Sequence, residues 1–379
     1  MKLRNILSVF CFLAAMASCS MEDDTMMNDA SKEFEASVNA DKEAYLAFGM
    51  NLGVMNTKST VKDDQVGTDD KIDQEINNLW IFLLDGETVL NKAYLAEGDI
   101  HFDTNHHLYK DAEHTTPFGF LTKKKDNLKL FVIANSIYTA NNATIAACTT
   151  LSGIKALSLG ADDLNACVKV SDVANVVWGD YPGYEKINGA DGALQQEPCW
   201  VDVTLKQAYA RVGLKSFVVK KGQDLKDDIN VTLLDATLSN QNMAWSVGGT
   251  GKNISENTPS YLAQGASYTC NTASIIDDEG LNLISGELAA YKTFQNETET
   301  PVGINLKYQI GVNIYEKTYS IKTPIDTEFQ EKVLAGNIYQ LNVIMTVADR
   351  EADVVVSCYT EDWKEGGALD EIVLKPSNN

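Results

Sequence analysis

Leu46-Ala47-Phe48-Gly49-Met50-Asn51-Leu52-Gly53-Val54 sets the frame for the whole chain: a large apolar side chain stands at every second position, with alanine, glycine or asparagine between them. A period of two is the period of a strand, because successive side chains leave a pleated backbone on opposite faces. This stretch is therefore a half-buried strand. The same period recurs at Val201, Val203 and Leu205, and at Val231 and Leu233, continuing past Asp235 with Thr237. It recurs again at Tyr308, Ile310, Val312 and Ile314, and from Tyr339 through Leu341, Val343 and Met345 to Val347. Residues 79–84 and 128–134 are apolar throughout, as in strands covered on both faces, and Asp85-Gly86 closes the first run in a tight turn. Ile145, Leu151, Ile154, Leu157 and Leu159 have the spacing of a short helix, which Gly153 weakens. The pattern predicts an all-β chain, with sandwiches whose outer faces are wet and a short helix or two. Two strand patterns flank residues 207–211, which places a domain boundary near there.

The first strand is flanked by two polar segments. Residues 21–41 are acidic and poor in aromatic side chains, which suits a solvated tether. Residues 56–71 carry Lys58, Lys62 and several aspartates, which suits an exposed loop. Upstream, Lys2 and Arg4 precede an apolar run at 6–16 that is too short to span a bilayer and ends in Met16-Ala17-Ser18-Cys19. Charge, length and small residues read as a signal peptide over 1–18. The last four residues resemble the bacterial lipobox, which implies that Cys19 is acylated and begins a lipidated tether over 19–41. Ser20-Met21-Glu22-Asp23-Asp24 is similar to an acidic surface-export signal of Bacteroidetes lipoproteins.

The chain has 379 residues, with 53 acidic against 31 basic side chains and a net charge of −22. Such a surface repels nucleic acid and anionic lipid, so a nucleic-acid partner is excluded and solubility before assembly is favoured. Of seven cysteines, Cys148, Cys167, Cys199, Cys270 and Cys358 remain after Cys11 and Cys19 are set aside. Their wide spacing gives neither a metal knuckle nor a dense disulfide framework, and no pairing is assigned.

The four histidines, His101, His106, His107 and His114, crowd into one polar stretch with Asp103, Asp111 and Glu113. They are weak metal candidates, because His-Glu-x-x-His and Cys/His spacings are missing, so no metal or other cofactor is assigned. Gly248-Gly249-Thr250-Gly251 lacks the lysine and helix of a phosphate loop and reads as a turn. No nucleophile elbow is present, and carboxylate pairs are uninformative in so acidic a chain, so catalysis has no residue-level support. Among the tryptophans, Trp80 reads as core, whereas Trp178 and Trp245 near polar turns read as contact residues for a sugar. Trp200 and Trp363 are left open.

The order of these features resembles the fimbrillin family of Bacteroidetes, the type V pilins. The resemblance runs from the lipobox and the alternating first strand through residues 79–84 and Phe131-Val132-Ile133-Ala134-Asn135-Ser136. It continues through Val203-Thr204-Leu205 and Tyr209-Ala210-Arg211-Val212 to Asn337-Ile338-Tyr339-Gln340-Leu341-Asn342-Val343, Val354-Val355-Val356 and Trp363. It implies two transthyretin-like β-sandwich domains in tandem, over 42–207 and 208–379, and assembly by donor-strand exchange. In that scheme residues 42–58 are removable and Leu46, Phe48, Met50, Leu52 and Val54 plug a groove. Their full burial is worth on the order of 10 kcal/mol before ordering costs. The donor strand is then C-terminal, with Leu369, Ile372, Val373 and Leu374 after Gly366-Gly367. The alternative for that segment is that it completes its own sandwich.

Family shaft subunits carry arginine in the cleaved loop. Here Lys58 takes that place, with Lys62 as second choice, and the mature chain has only Arg211 and Arg350. The implied function is a structural subunit of an adhesive surface fimbria. Its partners are other fimbrial subunits, the outer membrane through the lipid before trimming, and a host or bacterial surface ligand. The alternatives are a pilus anchor or tip subunit that keeps its plug, or a surface glycan-binding lipoprotein.

Overall fold

The computed structural model describes residues 43–52, 75–179, 198–284, 288, 290–296, 299–325, 328–348, 352–362 and 370–374. The chain divides into two compact units, one of Met1–Tyr45, Leu121–Lys125 and Trp178–Pro198, the other of Leu46–Phe120, Asp126–Val177 and Cys199–Asn379. In the first unit the Trp178 indole N–H donates to the Lys125 carbonyl at 2.8 Å, and the Lys124 ammonium lies 5.8 Å from the centre of the same ring. The second unit holds nearly all described residues.

Strands dominate. The first group comprises β1 (Glu43–Leu52), β2 (Asn78–Asp85), β3 (Thr88–Ala96), β4 (His101–Phe102), β5 (Leu108–Tyr109), β6 (Gly119–Lys123), β7 (Leu128–Ala134), β8 (Ser158–Leu159), β9 (Lys169–Ser171), β10 (Ala174–Asn175) and β11 (Cys199–Gln207). Eight of these form one sheet in the order β3-β2-β7-β9-β11-β1-β6, with β10 beside β7. Both faces of β2 are covered, which is why its sequence is apolar without alternation. Trp80, Phe82 and Leu84 face a core that also holds Phe131, Ile145, Ile154 and Leu164, while Leu79, Ile81 and Leu83 are buried on the opposite side. The Trp80 indole N–H donates to the Tyr138 carbonyl at 2.7 Å, so its one polar group is satisfied in the core.

Three one-turn helices line that face, α1 (Ala143–Ala146), α2 (Leu151–Lys155) and α3 (Ala161–Asn165). The sequence spacing predicts one short helix over 142–159; the chain makes two there and a third beyond. Each of the first two has a side-chain cap: the Asn142 carbonyl accepts from the Thr144 amide at 2.9 Å, and the Thr150 hydroxyl accepts from the Gly153 amide at 3.1 Å. Gly153 is tolerated because it sits at the capped first turn, where position matters more than propensity.

The second group comprises β12 (Tyr209–Lys221), β13 (Asn230–Ser239), β14 (Trp245–Ser246), β15 (Tyr268–Asn271), β16 (Leu281–Asn282), β17 (Tyr291–Phe294), β18 (Gly303–Ile310), β19 (Asn313–Ser320), β20 (Thr323–Ile325), β21 (Glu328–Gln330), β22 (Asn337–Val347), β23 (Ala352–Asp362) and β24 (Asp370–Leu374). One sheet runs β16-β12-β22-β23-β24 with β17 beside β12, and a second runs β15-β13-β18-β19. Their inner faces enclose a single core, a β-sandwich in which Leu341, Val343 and Met345 meet side chains such as Leu233, Leu306 and Ile310. The alternation of residues 339–347 is the inward face of β22, every second side chain being fully buried.

Two runs depart from the period read in the sequence. In β13 the register against β18 shifts between Leu233 and Asp235, so Ala236 and Leu238 are buried and Thr237 is only half-buried. A bulge adds one residue to one strand and so inverts the faces beyond it. The run from Tyr308 to Ile314 is not one strand but a hairpin: β18 ends at Ile310, Gly311 turns at φ +58, and Val312 and Ile314 are 90% and 58% exposed.

The sandwich core is rich in tyrosine. Tyr261 donates to the Val212 carbonyl at 3.2 Å, and the Tyr339 hydroxyl accepts from the Leu334 amide at 2.9 Å while sharing a 2.6 Å hydrogen bond with Thr323. Burial holds the phenols of Tyr261, Tyr319 and Tyr339 above their ordinary value of 10.0. For an acid whose folded pKa is raised, the stability present below the unfolded pKa is lost as the pH climbs toward the folded one. Alkaline unfolding should therefore begin above about pH 10. The part of the phenolate absorbance that comes from these buried tyrosines should appear together with the loss of far-UV circular dichroism. Full tyrosine titration with the sheets intact would overturn this reading of the core.

Candidate functional site

The first strand is not an edge strand. β1 runs parallel to β11, with Leu46 opposite Cys199, Phe48 opposite Val201, Met50 opposite Val203 and Leu52 opposite Leu205. Leu46 is 0% and Phe48 1% exposed. The Phe48 ring stands 5.5 Å from Phe120, edge-on, and 5.9 Å from Phe118. These three rings form an aromatic cluster in which Phe120 meets both of the others edge to face, a preferred geometry for such contacts.

The strand is more buried than its sequence pattern predicts. Ala47 is 0% exposed and Gly49 is buried as well, so the face of small residues is also covered. The cover is the β4–β5 hairpin. His107 forms a bridge to Gly49, and its ring stacks on Trp200 at 3.9 Å with only 10° between the planes. A side chain at position 49 would start 2.3 Å from an Asp202 carboxylate oxygen and 3.1 Å from the His107 ring. Glycine is thus required by close approach, a reason that a period-two reading cannot see. Asp202 is the residue of this site that the sequence did not flag; His107 reads there only as a weak metal candidate, and Trp200 is left open.

Three of the four histidines take their places from turn chemistry, and His101 lies in β4. Asp103 and Asp111 each accept through the carboxylate from the amide four residues on, His107 and Thr115, both at 2.8 Å. His106 and His114 then occupy matching left-handed positions at φ 61 and 55, a conformation that histidine adopts more readily than most residues. Burial raises the Asp103 carboxyl, but the amides of His107 and Asn105 and the neighbouring imidazoles outweigh it and hold the group below its ordinary value. Amide donation from Thr115 leads the lowering at Asp111. Among the described residues no three metal-binding side chains converge.

The C-terminal strand β24 closes the edge of the six-stranded sheet, antiparallel to β23, with Leu374 opposite Val356 and Ile372 opposite Cys358. Leu374 is 2% exposed. In this state the segment completes the chain's own sheet. Cys19, Val54, Lys58, Lys62, Leu369 and Trp363 lie outside the described residues.

Of the other residues singled out, Trp80 is core, as its sequence context predicts. Trp245 is not a contact residue: it is 7% exposed and packs in the first core, because pairing of β14 with β8 turns it inward. Trp178 is half-buried, its N–H committed to a backbone carbonyl. Gly248 to Gly251 form the turn that brings β14 back, with the Gly248 amide donating to the Lys155 carbonyl at 2.7 Å. Among the described residues no helix is long and apolar enough to cross a membrane.

The class defined by these features is an all-β protein with its first strand inserted inside a sheet and its last strand closing another sheet's edge. No family model and no curated protein matches the sequence. Solved structures do. A candidate cell-adhesion protein of Parabacteroides distasonis aligns with a TM-score of 0.50 at 11% identity, over 85% of this chain and 99% of that one. A fimbrilin of Porphyromonas gingivalis aligns at 0.49 and 12%, over 87% and 100%, and the tip fimbrial protein Mfa3 of the same organism at 0.48 and 10%, over 83% and 99%. These neighbours are named as cell-adhesion and fimbrial proteins, and at this identity the likeness is one of fold.

Proposed function

We propose that this chain is a structural subunit of a cell-surface fimbria of the fimbrillin type, supporting adhesion. It is exported as a lipoprotein through Cys19, trimmed after Lys58 or Lys62, and polymerised by strand exchange. The observation that carries this reading is the setting of β1: an apolar strand, buried on both faces from Leu46 to Gly49 and paired along β11, that joins directly to the hydrophilic segment holding Lys58. Removing such a strand would leave β11 with unpaired backbone groups beside apolar side chains, and a strand from another subunit satisfies both at once. β24 supplies the complementary element, because a short edge strand held by one neighbour is the easiest strand to give away. In this reading the chain is two sandwich domains, 42–207 and 208–379, meeting at Ala208 between β11 and β12. Its partners are other fimbrial subunits, and its lipid holds it to the outer membrane until trimming.

A second reading, a pilus anchor or tip subunit, draws on the loop itself: lysine stands where shaft subunits carry arginine. If the loop stays uncut, plug and lipid are both retained. The two separate in one experiment on the full precursor, treated with a lysine-specific protease and followed by size and N-terminal sequencing. Fibres with a new N-terminus at Ser59 or Asp63 support the shaft subunit. Cleavage there without assembly, or permanent resistance to cleavage, overturns it.

A further inference from the structure

Helix α3 is capped at its C-terminus by Ala166, and Cys167 follows in the left-handed conformation at φ 61. That position after a helix usually belongs to glycine. The Cys167 side chain is buried, and its sulfur lies 2.8 Å from the Lys292 ammonium nitrogen. The two residues are 125 positions apart: Cys167 belongs to the corner between α3 and β9, and Lys292 to β17, where it stands opposite Arg211 of β12. The lysine is half-buried and held over the Tyr209 ring, 5.4 Å from its centre, which aims its nitrogen at the sulfur. The sulfur also lies 3.7 Å from the Asn165 carbonyl. Lys169 and Asn135 donate to the Cys167 carbonyl at 3.3 Å and 3.4 Å, which pins the turn.

We infer that Cys167 and Lys292 are a modification site, joined by one oxygen atom into a covalent S–O–N bridge between the corner after α3 and strand β17. Sulfur and nitrogen stand at a separation that a single bridging oxygen spans, and both groups are pinned, so little motion precedes bond formation. The oxidant is dioxygen, small and apolar enough to reach a pair just below the surface. One thiol, one ammonium and one dioxygen give the bridge, one water and one proton. The S–H bond, two N–H bonds and the O–O bond break; S–O and O–N bonds form; sulfur and nitrogen together give four electrons, and the second oxygen leaves as water. This belongs with the other reversible oxidations of cysteine, in which the first product is captured by a neighbouring group. A link across 125 residues removes much of the freedom of the unfolded chain, so the bridged protein resists unfolding more than the open one. The inference stands whether or not the chain polymerises.

The test is peptide mapping of the full chain purified in air and, in parallel, without oxygen. In air the expected result is a linked pair of peptides containing Cys167 and Lys292, heavier than their sum by one oxygen and lighter by two hydrogens. It should be split by thiol reductants and absent from the anaerobic sample. The melting temperature of the air sample should fall on reduction. Cys167→Ser and Lys292→Arg should each abolish the linked peptide and the reductant-dependent shift; Lys292→Arg keeps the cation over Tyr209 and guards against misfolding. Complete alkylation of Cys167 in denatured, air-exposed protein would overturn the inference, as would recovery of Cys167 in a disulfide or as a sulfinic acid.

Discussion

Phe48→Ala should lower the unfolding free energy of the uncut chain by about 3–5 kcal/mol, the range for truncating a fully buried aromatic ring. The ring is 1% exposed and is gripped by Phe118 and Phe120. Its surroundings cannot collapse into the void, because the β1 backbone is fixed along β11 and the hairpin carrying His107 covers the opposite face. Urea denaturation of the precursor should show the loss as a shifted midpoint at constant slope. Leu90→Ala is the control: at 43% exposure it should change stability by no more than about 0.5 kcal/mol. A loss below about 1 kcal/mol at Phe48 would mean that the ring contributes little to holding the first strand. If strand release follows cleavage, the same substitution should speed release by roughly a hundredfold to a few thousandfold, since each 1.4 kcal/mol is a factor of ten.

What could be read from the sequence, and what could not, divides along a physical line. β2, β7, β11 and β22 were legible because their burial is set by period and run length, properties of the strand itself. The departures arise where a second part of the chain acts. Gly49 looks like a solvent-facing position until His107 of the β4–β5 hairpin folds against it. Trp245 looks like an exposed residue near a turn until pairing with β8 points it inward. The Asp235 bulge and the Gly311 turn are local, yet each breaks the count that a period depends on. The histidines look like a cluster because they are close in sequence; aspartate-capped turns instead set His106, His107 and His114, while His101 belongs to β4. The parallel pairing of β1 with β11 has no local signature at all, since a parallel partner comes from a distant stretch of chain.

Removing residues 370–379 should leave a folded monomer that no longer polymerises. β24 is five residues long and pairs with β23 alone, while β23 is held along its whole length by β22, from Asp362 opposite Asn337 to Ala352 opposite Val347. Loss of β24 therefore does not undo the sheet. It exposes the neighbours of Leu374, whose full burial is worth about 1.5–3 kcal/mol, within the 5–15 kcal/mol margin of a typical domain. The effect on assembly is of another kind. If β24 fills the place of β1 in the next subunit, each junction needs one donor, and a chain without it can cap an end but cannot extend it. Fibre mass after lysine-specific cleavage should thus fall to background while the circular dichroism spectrum keeps its strand signature. Leu374→Asp in the full-length chain separates the two roles of the segment: it keeps the backbone but makes insertion into an apolar groove costly. Fibres of normal length from either variant would show that the segment serves its own sheet and that the donor lies elsewhere. Fibres lost in both, with monomers intact, would assign the donor to the strand that now closes the edge beside Val356 to Thr360 of β23.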